Sequence, residues 1–221
     1  MKLFYKSIGH ILSFDGGYIN ELVIENKKLF FEMVNSASTQ INSSHGDFTL
    51  SINNKDVEFS KYADLTVEFA PFQVNRKSLI TKLYAALEQN ALNAENYSQS
   101  TELLSELEGF LFRISEELPF DIICSKLSVG SIIKALSPEI DDRNNSPLEK
   151  IFSYMELVRE LDRDRLFIMV NMRTYFSDED MESFIESVSL HDFKVLLLES
   201  SSFVPLKNTK RYTVDNDLCE F

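Results

Sequence analysis

The pattern of apolar and polar positions divides the chain into three stretches. Over the first 70 residues it is mostly strand-like. "KLFYKSIGHILSFDGGYINELVI" has apolar runs broken at Asp15-Gly16-Gly17, which predicts a hairpin turn there. "NKKLFFEMVNSAS" (26–38) places Leu29, Phe30, Met33 and Val34 on one helical side. "DFTLSINNKDVEFS" (47–60) predicts a second hairpin around Asn53-Asn54-Lys55, and "DLTVEF" (64–69) a short, partly buried strand.

From Arg76 to about Leu161 the spacing turns helical. Leu79, Leu83, Ala86 and Leu87 mark one face. "STELLSELEGFLFRISEEL" (100–118) sets Leu104, Leu107, Leu111, Ile114 and Leu118 at alternating steps of three and four. "SPLEKIFSYMELVREL" (146–161) repeats that spacing behind a Ser-Pro helix start, with a polar turn at 136–147 between them. The two seams predict an antiparallel helix pair.

The last 60 residues alternate again. "RLFIMVNM" (165–172) and "FKVLLLES" (193–200) are continuous apolar strands of the kind buried on both faces. The helix between them, 177–191, begins with Ser177 as cap, and the three together predict a parallel βαβ unit. A terminal edge strand is expected at Arg211 to Val214. The architecture that follows is α/β, with a head of 1–75 and 162–221 and an inserted all-helical leg of 76–161.

Composition narrows the function classes. The chain has 221 residues, with 44% hydrophobic and 12% aromatic residues, enough for a packed core. Cys124 and Cys219 lie far apart and have no CxxC partner. That excludes zinc held by cysteine pairs and fits a reducing, cytoplasmic setting without a disulfide. The N-terminus has no long apolar core or cleavage motif, and no apolar run approaches a membrane span, so neither a signal peptide nor a membrane role is expected.

The formal charge of −13 argues against nucleic acid when taken alone. The basic residues are clustered, however, at Lys27–Lys28, Arg76–Lys77–Lys82 and Lys207–Lys210–Arg211. A protein can be acidic overall and basic along one groove.

"FQVNRKSLITKLY" (72–84) has the order of a P-loop, strand then loop then Lys77-Ser78 then helix. Its loop, Pro71 to Arg76, has no glycine. Bulky and β-branched side chains there prevent the close backbone wrap that phosphates need. Nucleotide hydrolysis is therefore not expected. "SLHD" (189–192) lacks a nucleophile elbow, and none of the three histidines has metal-ligand spacing with another. Acidic clusters occur at Glu116-Glu117 with Asp121, at Asp141-Asp142 and at Asp178-Glu179-Asp180. Hard cations such as calcium take several such oxygens, but none of these clusters fits an EF-hand loop and solvated acidic turns explain each; the first stands out because Pro119 ends the helix between its members.

A family resemblance rests on several short motifs in order. Glu149-Lys150, "FIMVN", "YFSDED", "ESVSL" and "VLLLE", with the tail "KRYTVDNDL", are similar to the C-terminal half of a CRISPR adaptation protein, the second member of the Csn series of type II-A systems. Val74-Asn75, "LITKLY" and Leu87-Glu88 match a second signature of that family. The likeness covers about 62–92 and 146–217.

The resemblance implies a P-loop-ATPase-like α/β head without ATPase activity and an inserted helical leg. It implies a homotetrameric ring whose basic hole encircles double-stranded DNA, preferably at free ends, and which calcium supports. It further implies a role in acquiring spacers for antiviral defence, beside the CRISPR integrase proteins and the effector nuclease. Carried to this sequence, the candidate DNA-binding residues are Arg76, Lys77 and Lys82, and the candidate calcium ligands are Glu116, Glu117 and Asp121. A lysine-rich turn of the family is here "DRDR", Asp162 to Arg165, with half the basic character. A divergent P-loop NTPase and a protein-interaction scaffold without DNA contact are the alternatives.

Overall fold

The computed structural model describes residues 1–43, 45–143 and 145–221. In chain order its elements are β1 (Lys2–Tyr5), β2 (Ile11–Ser13), β3 (Ile19–Ile24), α1 (Lys27–Ser43), β4 (Phe48–Ile52), β5 (Lys55–Val57), α2 (Phe59–Tyr62), β6 (Ala63–Thr66), α3 (Lys77–Ala91), α4 (Tyr97–Ser115), α5 (Val129–Leu136), α6 (Pro147–Leu161), β7 (Leu166–Val170), α7 (Asp178–Leu190), β8 (Lys194–Glu199) and β9 (Thr209–Val214). A 3-10 turn, Met172–Thr174, follows β7.

They form two compact units, Met1–Val74 with Asn144–Phe221, and Asn75–Arg143. The first is α/β and holds a five-stranded sheet of order β6-β7-β8-β3-β9, parallel at every pairing. β7, β8 and β3 lie inside it, which is why β7 and most of β8 are continuously apolar rather than alternating, whereas β3 carries Asn20 and Glu21 in its first half. On one face Leu22, Ile24, Ile168, Val170, Leu196 and Leu198 join Leu29, Met33 and Ala37 of α1 in the main core. A four-stranded antiparallel sheet, β2-β1-β4-β5, contributes Leu3, Tyr5, Phe48 and Leu50 to that same core.

Strand alternation sends Phe167, Met169, Val195 and Leu197 to the other face. α6 is tied to that side by Tyr154, whose hydroxyl donates to Asp64 Oδ2 of β6 at 2.8 Å. Ile151, Met155 and Val158 of α6 are fully buried, as are Met181, Ile185 and Val188 of α7, and the two helices pack together. Burying a side chain of this size stabilises by roughly 1.5–3 kcal/mol, so α6 has its apolar face fully engaged within the α/β unit.

Two expectations are corrected here. The helix 146–161 does not form a hairpin with the helix near 100–118, because its seam is used inside the α/β unit. Asp15-Gly16-Gly17 does not close a hairpin either. Gly16 (φ 93°) and Gly17 (φ 73°) do take the left-handed region, but they carry the chain from β2 in one sheet to β3 in the other. The local signal was a turn, and nothing local distinguishes a hairpin from a crossing between sheets. β1 instead pairs with β2 across residues 6–10. The turn at Asn53-Asn54 is a hairpin as expected, both residues having positive φ.

In the second unit α3 packs on α5. Asn75 ties the start of the unit to its end, donating to Ile140 O at 3.0 Å and accepting from Ile140 N at 2.8 Å. α4 has no fully buried residue, and Leu107, Ile114 and Leu118 of the predicted seam are exposed.

Candidate functional site

In parallel α/β sheets ligands sit beyond the C-terminal ends of the strands. β3 is a central strand and hands directly to α1 through Glu25-Asn26. That two-residue connection is too short for a phosphate cradle. Asn26 closes it from within: its Oδ1 accepts from Leu29 N at 3.0 Å, the helix-start amide that a phosphate would otherwise take. The segment that mimicked a P-loop in sequence is not at this position. β6 is an edge strand of the α/β unit, and α3 belongs to the helical unit.

The rest of the same end is filled by charged side chains of the protein itself. Arg173, its side chain wholly inaccessible, donates from one terminal nitrogen to Glu21 Oε1 of β3 at 2.7 Å. Its other terminal nitrogen donates to Asp178 Oδ1 at 2.7 Å and to Val204 O at 2.8 Å. Arg211, the residue opposite Glu21 in β9, donates from Nε to Glu21 Oε2 at 2.8 Å and holds Phe203 O at 2.6 Å. Glu199 at the end of β8 accepts from Arg173 N at 3.1 Å. Two arginines thus pin the 200–208 connection onto the sheet through its carbonyls.

The buried Glu199 carboxyl is pushed up to about 7, first by removal from water and secondly by the nearby Glu21, with the Arg173 amide and charge pulling the other way. Glu199 Oε2 and Arg173 Nε have no hydrogen-bond partner among the described residues. Chemically this cluster can order a loop and bury charge. The terminal nitrogens of Arg173 are committed to Glu21, Asp178 and Val204 O of the chain itself.

The sequence-derived candidates lie in the helical unit. Arg76 caps α3, Lys77 is its first residue and Lys82 lies about a turn and a half on. Lys77 is exposed, while Arg76 and Lys82 are half-buried. A cation in the first turn is opposed by the helix dipole, so an anion that met it there would gain from both. Glu116, Glu117 and Asp121 follow α4 and are all exposed. Among the described residues no group of three or more His, Cys, Asp or Glu is placed to hold a metal ion.

Sequence reasoning passed over Glu21 and Arg173 and placed Arg211 only in a basic cluster and a terminal strand. The signal was available in Glu21, an acidic residue next to Asn20 in the mostly apolar run "INELVI", because such a position demands a buried cation.

The family model described as "CRISPR-associated protein (Cas_Csn2)" matches residues 40–218. Among curated relatives, "CRISPR-associated protein Csn2" of Enterococcus faecalis is 22% identical over 153 residues, 66% of this chain and 66% of the relative. The chain thus matches just under two thirds of that relative's length. The Csn2 protein of Streptococcus agalactiae is 21% identical over 160 residues, 69% of this chain and 68% of the relative. The crystal structure of Stu0660 of Streptococcus thermophilus superposes with a TM-score of 0.56 at 13% identity, covering 90% of this chain and 68% of that one, and shares the fold. No helix among the described residues is long and apolar enough to cross a membrane. On the extent of the family match, the chain belongs to the CRISPR-associated Csn2 family.

Proposed function

We propose that this protein is a non-catalytic binder of double-stranded DNA ends that acts as a homotetrameric ring in type II-A CRISPR spacer acquisition. The observation that carries the non-catalytic part is the direct junction from β3 to α1, where Asn26 takes the helix-start amide and Arg173 fills the space beyond the sheet. Family membership supports the CRISPR role. Assembly favours duplex binding by a chain of charge −13, because a ring multiplies each subunit's basic groups around the phosphate backbone. Arg76, Lys77 and Lys82 are the proposed contacts from the helical unit. Calcium belongs to this proposal without an assigned ligand set, since Glu116, Glu117 and Asp121 do not converge. The integrase proteins and effector nuclease are the proposed partners, in the cytoplasm.

Light scattering of the purified protein with and without Ca²⁺ and linear duplex tests the assembly. The expected result is a tetramer mass that Ca²⁺ favours and that gains one duplex. A monomer under all four conditions contradicts it. A second reading, a protein-interaction scaffold, is favoured by the exposed Leu103, Leu107, Phe110 and Ile114 of α4. Unchanged mobility of linear duplex at low salt would support it instead.

A further inference from the structure

At the N-terminal ends of the parallel strands, opposite to Arg173 and Glu199, the α/β unit has a cleft of about 500 Å³. Arg159 of α6, Arg163 and Arg165 of the turn before β7, and His191 and Lys194 at the α7–β8 junction line it, together with the carboxylates of Asp164 and Asp192. So many cations in one concavity run against a chain of charge −13.

Carboxylates neutralise only part of this set. Asp162, with its side chain 6% exposed, is shared by Arg163 at 3.3 Å and Arg165 at 2.5 Å. Lys194 pairs with Asp192 at 2.5 Å. Arg159 has no carboxylate partner among the described residues. It donates to His191 O at 2.9 Å, and its guanidinium lies 4.2 Å over the Phe193 ring. The Arg163 guanidinium lies 5.2 Å from the Tyr62 ring. These ring contacts help hold the guanidinium groups in place, and the N–H groups not already given to His191 O and Asp162 remain to meet an oxyanion.

The cleft thus has two guanidinium groups beside aromatic rings, the shared Asp162 carboxylate, a further carboxylate at Asp164 and a lysine paired with Asp192. A phosphate has the charge and the number of oxygens to engage both guanidinium groups at once. We propose that this cleft is a phosphate-binding site, seating one phosphate group between Arg159 and Arg163, and that in the duplex-bound protein the group is a backbone phosphate. The source of the phosphate rests on the function proposed above; the site itself does not.

His191 lines the cleft and is one of only three histidines, so its imidazole resonances report on it. The test follows these resonances during titration with inorganic phosphate. In parallel, it measures anisotropy of a labelled linear duplex, for the wild type, the Arg159→Gln/Arg163→Gln pair and Arg163→Glu. Arg163 is 42% exposed in its side chain and Asp162 keeps Arg165, so thermal unfolding of each variant, measured alongside, separates loss of the site from loss of the fold.

The expected result is a saturable His191 shift that the variants lose. Duplex affinity falls at least tenfold in the variants, and its salt slope drops by about one. Loss of the phosphate response with unchanged duplex affinity keeps the site and assigns it to a small phosphorylated ligand. A saturating phosphate response in a wild type that binds no duplex keeps the site and removes the duplex reading. No saturable response in the wild type, with duplex affinity equal in all three proteins, overturns the proposal.

Discussion

Replacing Arg173 by methionine tests whether the charged cluster at the C-terminal end of the sheet is structural. Methionine keeps the length and apolar stem but removes the cation between Glu21 and Glu199. Breaking a buried ion pair by deleting one partner costs about 3–5 kcal/mol, because the remaining charge is left in a poorly solvating site. Glu21 keeps Arg211 Nε at 2.8 Å, which places the loss at the lower end, about 3 kcal/mol. For a chain of this size a urea slope of roughly 2–3 kcal/mol/M converts that to a midpoint lower by about 1–1.5 M. Urea unfolding followed by far-UV circular dichroism reads this directly. Arg173→Lys, which keeps the charge but loses the fork to Asp178 and Val204, should fall between the two. A midpoint change under about 0.3 M for Arg173→Met would refute the reasoning, since it would give the cluster the weight of an exposed pair.

Further expectations can be checked separately. The Glu199 carboxyl titrates near 7 when folded against 4.5 as its ordinary value, so the native state holds more protons than the unfolded one between those limits. Stability from this group is therefore full below about 4.5 and is lost as pH rises toward 7. Accordingly Glu199→Gln should match the wild type in thermal unfolding at pH 4 and exceed it at pH 8, by up to about 3 kcal/mol; equality at pH 8 would contradict this. Ser146 and Glu149 form a reciprocal cap on α6, and Ser146→Ala should cost about 1 kcal/mol in the same assay. Lys77→Ala and Lys82→Ala should weaken duplex binding alike for every sequence, each lowering the salt slope by about one if it touches a phosphate.

Much of the fold was legible because its signals are local. The apolar runs 166–170 and 195–198 could only be buried strands, and Ser177 and Ser146 announce their helices through side chains that accept from Asp180 N and Glu149 N. What stayed hidden depends on partners distant in sequence. The seam on 146–161 states that the helix has an apolar face, not which surface receives it, so a hairpin and a sheet face were equally compatible. Asp15-Gly16-Gly17 encodes a reversal but not the sheet that the next strand joins. The P-loop order at 65–78 was misleading for a related reason. The phosphate position belongs to whichever central strand meets a helix N-terminus, and that proved to be β3 and α1. Glu21, Arg173 and Arg211 come from three separate strands or turns, up to 190 residues apart, and only the parallel pairing of β3 with β9 and β8 brings them together.

A ring of the kind proposed would thread onto DNA at an end rather than grip it from the side. The most direct measurement is retention of the protein, at low salt with Ca²⁺, on one plasmid in linear form and in closed circular form. A closed circle cannot thread a ring, so the account predicts retention on the linear duplex, loss of it on raising the salt, and none on the circle. Equal retention on both forms would contradict it.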